Sequence, residues 1–156
     1  MLIEVWWIGE TSDVQLAKSI EIYKKRISRL SQMRWICLKE PKYSASESAE
    51  LRMEKEAASV LAKLQSDDFL VILDERGQEY TSKEWASWLE SKMAAPGKRI
   101  ILLIGGPFGF SERIAVRANA SMALSKMTFT HEMVRLILSE QLYRAFTILK
   151  NIKYHY

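Results

Sequence analysis

The sequence predicts a single α/β domain with a mostly parallel sheet flanked by helices, and three observations carry that prediction. Short apolar runs alternate with amphipathic stretches along all 156 residues, as expected when helices cover both faces of a sheet. No repeat, low-complexity tract or linker divides the chain, so we expect residues 1–156 to form one domain. A chain of this length buries roughly 70% of its unfolded surface and needs no disulfide or structural metal.

The first half of the chain predicts three strands joined by two helices. The strands are runs rich in Ile, Val, Leu and Trp, and the helices carry an apolar residue at every third or fourth position. In chain order, the elements are a strand at 2–8, a helix at 13–30, a strand at 33–38, a helix at about 47–65 and a strand at 69–73.

The second half predicts the same alternation. Residues 74–77 indicate a turn, and Thr81 with Glu84 fits a capping box that opens a helix, which Pro96 and Gly97 end. The remaining elements are a strand at 99–104, a glycine-rich loop at 105–110, a helix capped by Ser111, a short strand or extended loop at 122–127 and a last helix at 131–150.

The last predicted helix is apolar around most of its circumference. A surface helix needs only one apolar stripe, so this helix is expected to be covered on more than one side. A second subunit in a two-fold dimer would cover it, and this is our prediction. The alternative is a central core helix in a monomer.

Composition excludes several classes of protein. With one cysteine, Cys37, and two histidines, the chain holds neither a disulfide framework nor a usual Cys/His zinc site, and we expect no metal. A lone cysteine is typical of a reducing, cytoplasmic compartment. No apolar run reaches the roughly 18 residues that span a bilayer, and the N-terminal residues lack a secretory signal, so we expect no membrane contact.

Charge is unevenly distributed along the chain. Residues 1–97 hold 14 basic and 16 acidic residues, a net −2, whereas residues 98–156 hold 9 and 3, a net +6. Clustered Lys and Arg attract phosphates, so this asymmetry favours a basic face for a polyanion. A solvated basic surface without a partner is the alternative.

The strongest candidate site is the glycine-rich loop at 105–110. It follows an apolar strand, and ligands of open α/β sheets bind at the carboxyl ends of strands. Its glycines let a ligand approach the backbone closely. The spacing matches neither a dinucleotide fingerprint nor a phosphate loop, and a tight structural turn is an equal alternative.

Three further groups of residues could take part in binding or catalysis. His131 opens the last helix, where the helix dipole disfavours a protonated imidazole, so it is either a base or a structural helix-start residue. Glu140 and Arg144 have the spacing of a surface ion pair. In the tail 153–156, aromatic rings could stack on bases and His155 could move protons, unless the tail frays.

Three segments together resemble a known family. They are ILDERGQEYTSKEWA, LIGGPFGF and ALSKMTFTHEMVRLILSEQLYRAFTILKNIKYHY, and they closely resemble the RlmH family of SPOUT-class methyltransferases over essentially the whole chain. The resemblance implies S-adenosyl-L-methionine as methyl donor, a homodimer, and methylation at N3 of a pseudouridine in helix 69 of 23S rRNA in the large ribosomal subunit. It also implies a C-terminal deep trefoil knot, at about residues 70–156, that forms the cofactor pocket.

The resemblance assigns site residues. Carried over by motif position, the cofactor-binding residues are Leu73, Gly105, Leu124, Ser125, Lys126, Met127, Thr128 and Phe129. The catalytic residues, contributed by the partner subunit's tail, are His155 as proton acceptor, Tyr154 as its positioning or stacking partner and Arg144 as a phosphate or base anchor. His131 and Arg135 are second candidates, and Phe108 stands where many relatives have a small polar or acidic residue.

Two other functions remain open. The chain could methylate another RNA such as a tRNA, because fold does not determine substrate. It could also be a non-catalytic, ribosome-associated RNA-binding module. With no separate RNA-binding domain, recognition is expected from the basic residues of 98–156, gathered near the cofactor pockets, and activity is expected to fall with added salt.

Overall fold

Strands and helices alternate along the whole computed structural model, which describes residues 1–154. The strands are β1 (Leu2–Ile8), β2 (Met33–Leu38), β3 (Phe69–Glu79), β4 (Arg99–Ile104) and β5 (Ala120–Ala123). The helices are α1 (Val14–Ser28), α2 (Ala49–Leu61), α3 (Ser82–Ala94), α4 (Glu112–Arg117) and α5 (His131–Leu149). The strands form one sheet in the order β2-β1-β4-β3-β5, and all its pairings are parallel, which confirms the predicted fold class.

The sheet is buried on both faces. Its central strand β4 is a continuous apolar run whose last five residues are essentially inaccessible to solvent. On one face the core includes Trp85 of α3 and Leu138 of α5, and on the other it includes Val60 of α2 and Ile114 of α4. The two faces together hold the carboxyl ends of the strands in fixed positions.

Helix starts follow the predicted capping chemistry. The side chains of Thr81 and Glu84 form the predicted capping box at the start of α3. Thr130 caps α5 by accepting a hydrogen bond from the backbone N–H of Met133. Ser111 lies at the predicted cap of α4, but its buried hydroxyl makes no hydrogen bond there, so that cap rests on backbone geometry alone.

Two predicted strand boundaries are wrong, one in β3 and one in β5. The predicted turn at 74–77 lies within β3, which resumes pairing with β5 at Gln78 after a register shift. Gly77 permits this, because a Cβ there would lie 2.6 Å from the backbone nitrogen of Met122. The fifth strand covers Ala120–Ala123 instead of 122–127, so residues 124–130 are a loop.

The last helix is largely covered by its own chain. Helix α5 packs against α1, α3 and β4. This arrangement corresponds to the alternative of a central core helix, so the apolar circumference of α5 does not by itself require a second subunit. The homodimer stays a prediction.

The chain reaches α5 by crossing the carboxyl ends of the strands. From β5 at the sheet edge, the loop 124–130 leads to Glu132, whose carboxylate accepts hydrogen bonds from the backbone of Ser12 and Asp13, just after β1. Two strands, β3 and β4, lie between these points. This path is compatible with the trefoil knot that the resemblance implies, and the knot stays a prediction.

Candidate active site

A cleft of about 810 Å³ opens at the carboxyl ends of β3 and β4. This volume lies within the range of roughly 300–1,000 Å³ that is usual for small-molecule sites. Three segments form its walls: residues 73–76 at the bend of β3, the glycine loop 104–110, and residues 124–134, which lead into α5. The position is the one predicted for a ligand site in a parallel sheet.

The glycine loop is a compact turn closed by its own backbone. The N–H of Gly109 donates to the carbonyl of Gly106 at 3.1 Å, and Gly109 has a φ of +82°, a conformation that favours glycine. A Cβ on Gly105 would lie 3.1 Å from the ring of Phe110 and 3.3 Å from the carbonyl oxygen of Gly109. The loop therefore leaves no room for a side chain at Gly105, directly beside the cleft.

A buried carboxylate supports this loop from behind. Glu56 of α2 accepts hydrogen bonds from the backbone N–H of Gly106 and from the hydroxyl of Tyr43 at 2.9 Å. Burial raises the pKa of Glu56, while the hydrogen bonds from Tyr43 and Gly106 oppose that shift. Glu56 was not among the predicted site residues, although a carboxylate directly before the inward-facing Ala57 is a signal of a buried polar contact.

The opposite wall contains a pair of acidic residues that were predicted only as a turn. Asp74 accepts hydrogen bonds from the guanidinium of Arg76 at 3.0 and 2.9 Å, and these bonds lower the pKa of Asp74. Glu75 accepts a hydrogen bond from the hydroxyl of Thr128 at 2.8 Å, which ties β3 to the loop 124–130. In the same loop, the hydroxyl of Ser125 accepts from the N–H of Met127.

The structure brings most of the predicted cofactor residues together. Seven of the eight line the cleft: Leu73, Gly105, Leu124, Ser125, Met127, Thr128 and Phe129. Lys126 does not line it, and its ammonium lies 3.8 Å from the carboxylate of Glu79 with most of the side chain in solvent. The assignment of these residues to a cofactor stays a prediction.

The two second candidates have different positions. His131 lines the cleft, and its pKa is lowered first by burial and then by the nearby charge of Arg135. Arg135 is 1% exposed, so it is not available to a substrate. Its guanidinium donates to the carbonyl of Ile8 and the hydroxyl of Thr11 at 2.8 and 2.9 Å, which fixes α5 against the end of β1.

Arg144 and Tyr154 lie together but outside the cleft. Arg144 pairs with Glu140, as the spacing predicts, and its guanidinium lies 4.9 Å from the ring centroid of Tyr154. The Tyr154 hydroxyl donates to Glu140 at 3.1 Å, and its ring meets that of Tyr143 edge to face. Burial and hydrogen bonds involving Tyr23 and Glu140 raise the pKa of Tyr154 to about 12, so it is a neutral phenol.

The third predicted catalytic residue, His155, lies outside the described residues. Arg144 follows His131 by 13 residues along α5, which corresponds to a rise of roughly 20 Å. Within one chain, the residues predicted to hold the cofactor and the described residues predicted to act on the substrate are therefore separated.

Within one chain, five of the nine basic residues of 98–156 do not line the cleft. Lys98, Arg99 and Arg117 lie at the amino ends of the strands, where they contact Asp67, Asp68 and the backbone around them. Arg135 is buried, and Lys126 is largely exposed without lining the cleft. The expectation that basic residues gather near two cofactor pockets concerns the surface of a dimer, and it stays a prediction.

Among residues 1–154, no three side chains of the His, Cys, Asp and Glu types come together in a group that could hold a metal ion. The same part of the chain contains no helix with the length and apolar character needed to cross a membrane.

Known proteins with similar sequences cover the whole chain. The family described as "Predicted SPOUT methyltransferase" matches residues 1–155. The ribosomal RNA large subunit methyltransferase H of Cytophaga hutchinsonii is 43% identical over all of both chains. The protein of the same name from Christiangramia forsetii is 40% identical over all of this chain and 99% of its own, and that of Parabacteroides distasonis is 41% identical over 96% and 95%.

A solved structure shows the same fold at much lower sequence identity. A probable methylase family protein from Haemophilus influenzae matches 99% of this chain and 70% of its own, with a TM-score of 0.52 and 16% identity. The family match over nearly all residues and the full-length relatives settle the assignment. The chain belongs to the SPOUT methyltransferase family, in the group of the ribosomal RNA large subunit methyltransferase H (RlmH) proteins.

Proposed function

We propose that this protein transfers a methyl group from S-adenosyl-L-methionine to large-subunit ribosomal RNA, at N3 of a pseudouridine in helix 69 of 23S rRNA. One observation carries the proposal: the cleft at the carboxyl ends of β3 and β4 is lined by seven of the eight residues that the family resemblance assigns to the cofactor. The names of the full-length relatives support the choice of large-subunit RNA as substrate.

The residues of the cleft fit the proposed donor. Leu73, Leu124 and Val134 offer apolar contact for an adenine ring, and the close packing around Gly105 leaves the backbone accessible. Glu75 adds negative charge beside the cleft, which suits a cationic ligand, whereas the charge of Asp74 is balanced by Arg76. When bound, the donor supplies an electrophilic methyl group on a positively charged sulfur.

The chain's own task is to align the acceptor base and to remove its N3 proton. Alignment of two reactants can lower a barrier by up to about 7–11 kcal/mol. We assign Arg144 to a phosphate or base of the RNA, because a guanidinium matches both. Tyr154, a neutral phenol, positions His155 or stacks on it, and His155 accepts the proton.

The position of Arg144 and Tyr154 supports a homodimer with composite sites. Both residues lie too far along the chain from His131 to act at the cleft of their own subunit. Exposed apolar side chains surround the mouth of that cleft, where a second subunit would cover them. They are Phe108, Met127 and Phe129.

Mixing two inactive variants tests the composite site. One subunit carries Gly105→Val, which fills the space beside the cleft, and the other carries Arg144→Ala. If Arg144 acts at the partner's cleft, each mixed dimer holds one intact site and the equilibrated mixture regains about one quarter of the wild-type activity. If both residues serve the same subunit, no activity returns. Sedimentation of the wild type shows the oligomeric state independently.

His155→Ala tests the proton acceptor. Turnover should fall sharply while the affinity for S-adenosyl-L-methionine stays nearly unchanged, because the residue acts on the substrate. Full activity in this variant would remove His155 from the mechanism.

The function itself is tested by binding and by product. Calorimetric titration of the folded protein with S-adenosyl-L-methionine should release or absorb heat, and absence of heat would leave the non-catalytic RNA-binding module. Mass mapping of RNA from a deletion strain should then show one methyl group missing from the helix 69 pseudouridine. A methyl group missing from a tRNA instead would show that the substrate assignment is wrong.

A further inference from the structure

Helix α1 carries a basic surface that no part of the candidate site explains. Residues 18–34 contain six Lys and Arg and a single acidic residue, Glu21. Residues 1–97 have a net charge of −2, and this sum conceals the dense positive charge of residues 18–34. Most of these cations lie on one helix.

Three of them form a straight row on the solvent side of α1. Lys18, Lys25 and Arg29 are exposed, and their spacing of seven and four residues places them on one helical face. That face lies opposite the buried Ile20 and Ile27. The row, which we call the α1 basic row, spans 11 residues or roughly 16 Å.

The charges of the row are not neutralised locally. Lys24 is held by Glu21 at 2.7 Å, and Arg34 lies 3.6 Å from Glu4. Within the described part of the chain, no ion pair involves any member of the α1 basic row. The row therefore presents three hydrated cations on long, flexible side chains.

The row adjoins the cluster that holds two predicted catalytic residues. Between them lies Arg26, whose guanidinium is 5.4 Å from the ring centroid of Tyr23 and 5.7 Å from that of Tyr143. The ring of Tyr143 in turn lies 4.7 Å from that of Tyr154. A continuous surface of guanidinium groups and rings thus joins α1 to the Tyr154 and Arg144 region.

We propose that the α1 basic row binds the phosphate backbone of the RNA substrate and brings it to the Tyr154 and Arg144 region. This inference rests on the proposed function. RNA fits better than a protein partner, because a row of exposed cations matches a polyanion, and Ile22 is the one large apolar side chain exposed within residues 18–34. It also adds contacts to RNA beyond Arg144, since Lys98 and Arg99 are paired within the chain and Arg135 is buried.

The test removes two charges from the row and two from elsewhere. The double variant Lys25→Gln, Arg29→Gln is compared with Lys63→Gln, Lys98→Gln, in which two other exposed lysines lose the same charge. Binding to protein-free 23S rRNA and to large ribosomal subunits that lack the modification is measured between low and physiological salt. Calorimetry with S-adenosyl-L-methionine and sedimentation provide the controls for folding and assembly.

We expect the row variant to bind 23S rRNA about tenfold more weakly and its salt slope to fall by roughly 1.4 to 1.8, the loss of two phosphate contacts. The control variant should keep the wild-type slope, and both should keep donor affinity and oligomeric state. Equal losses in the two variants, an unchanged slope in the row variant, or dissociation of its subunits would each overturn the proposal.

Two further outcomes separate the possible failures. If the row variant loses affinity for subunits but not for protein-free rRNA, the row contacts a ribosomal protein and the inference is wrong. If the wild type binds rRNA with the expected slope yet transfers no methyl group to any RNA, the proposed function fails while the basic row is upheld.

Discussion

The two ends of the sheet use charge in opposite ways. At the amino ends, Arg99 donates hydrogen bonds to Asp68 at 2.8 Å and to Glu4 at 3.2 Å, and Trp6 donates to Glu4 as well. Both carboxylates are almost completely buried. At the carboxyl ends, the glycine loop and the loop 124–130 surround an open cleft.

This difference assigns folding stability to the amino ends of the strands and ligand binding to their carboxyl ends. The buried carboxylates of Glu4 and Asp68 accept hydrogen bonds from side chains of their own chain. These two groups are therefore not available to bind a ligand. The carboxyl end combines close backbone approach, partly exposed side chains and the start of α5. We therefore expect changes at the amino end to alter folding, and changes at the carboxyl end to alter donor affinity.

The largest expected effect comes from Arg99→Ala. It leaves Asp68 and Glu4 buried without their shared cation, which should lower the free energy of unfolding by about 3–5 kcal/mol. Urea unfolding measures the change. Arg34→Ala is the control, because this exposed arginine approaches Glu4 only at 3.6 Å, and its loss should cost less than about 1 kcal/mol. Equal effects of the two variants would contradict the comparison.

A smaller effect, at the opposite end, is expected from Glu56→Ala. It removes the acceptor for the N–H of Gly106 and the hydroxyl of Tyr43, a loss of about 1–3 kcal/mol that should appear mainly as weaker donor binding. Calorimetry with S-adenosyl-L-methionine measures it. Glu56→Gln keeps an acceptor oxygen and should restore most of the affinity.

Val60→Ala separates a role of Glu56 in loop geometry from simple destabilisation. This residue lies in the same helix and is also buried, so its truncation should lower stability without weakening donor binding. If Val60→Ala and Glu56→Ala weaken donor binding alike, the glycine loop does not depend on Glu56.

The smallest expected effect is a difference in pH dependence. Burial, the largest single influence, raises the pKa of Asp68, but the hydrogen bonds from Arg99 and the backbone N–H of Gln65, together with the charges of Arg99 and Arg117, lower the pKa on balance. Its contribution to stability is thus present above about pH 4 and lost as the pH falls further. Glu56, whose pKa is raised, contributes most at low pH and loses that contribution as the pH rises through its pKa.

Unfolding measured from pH 3 to pH 7 shows both effects. Asp68→Asn should make the acid loss of stability shallower, and Glu56→Gln should remove the loss on the alkaline side. Parallel curves for wild type and both variants would show that neither carboxylate is linked to folding.

Sequence patterns predicted the sheet well because its strands are apolar on both faces. They failed where contact with a neighbouring strand determines the structure. Residues 74–77 have the composition of a turn, but Gly77 allows close contact with β5, and β3 resumes pairing with β5 at Gln78. They also failed for Lys98 and Arg99, whose partners precede them by about 30 residues. Charge counts along a sequence carry no information about which face a side chain reaches. The position of the motifs in the sequence was enough to predict most residues that line the cleft. The contact of Glu56 with the glycine loop could be found only in the folded structure.

The contacts of β1 determine when this protein can fold. The first strand pairs with β4, so that Leu2 lies beside Arg99, and Arg135 reaches the carbonyl of Ile8 from the last helix. At a synthesis rate of about 5–20 residues per second, Trp6 and Trp7 stay uncovered for several seconds until their partners have been made. Contacts this distant in sequence also slow folding. The fold is therefore completed only once β4 and α5 have been synthesised.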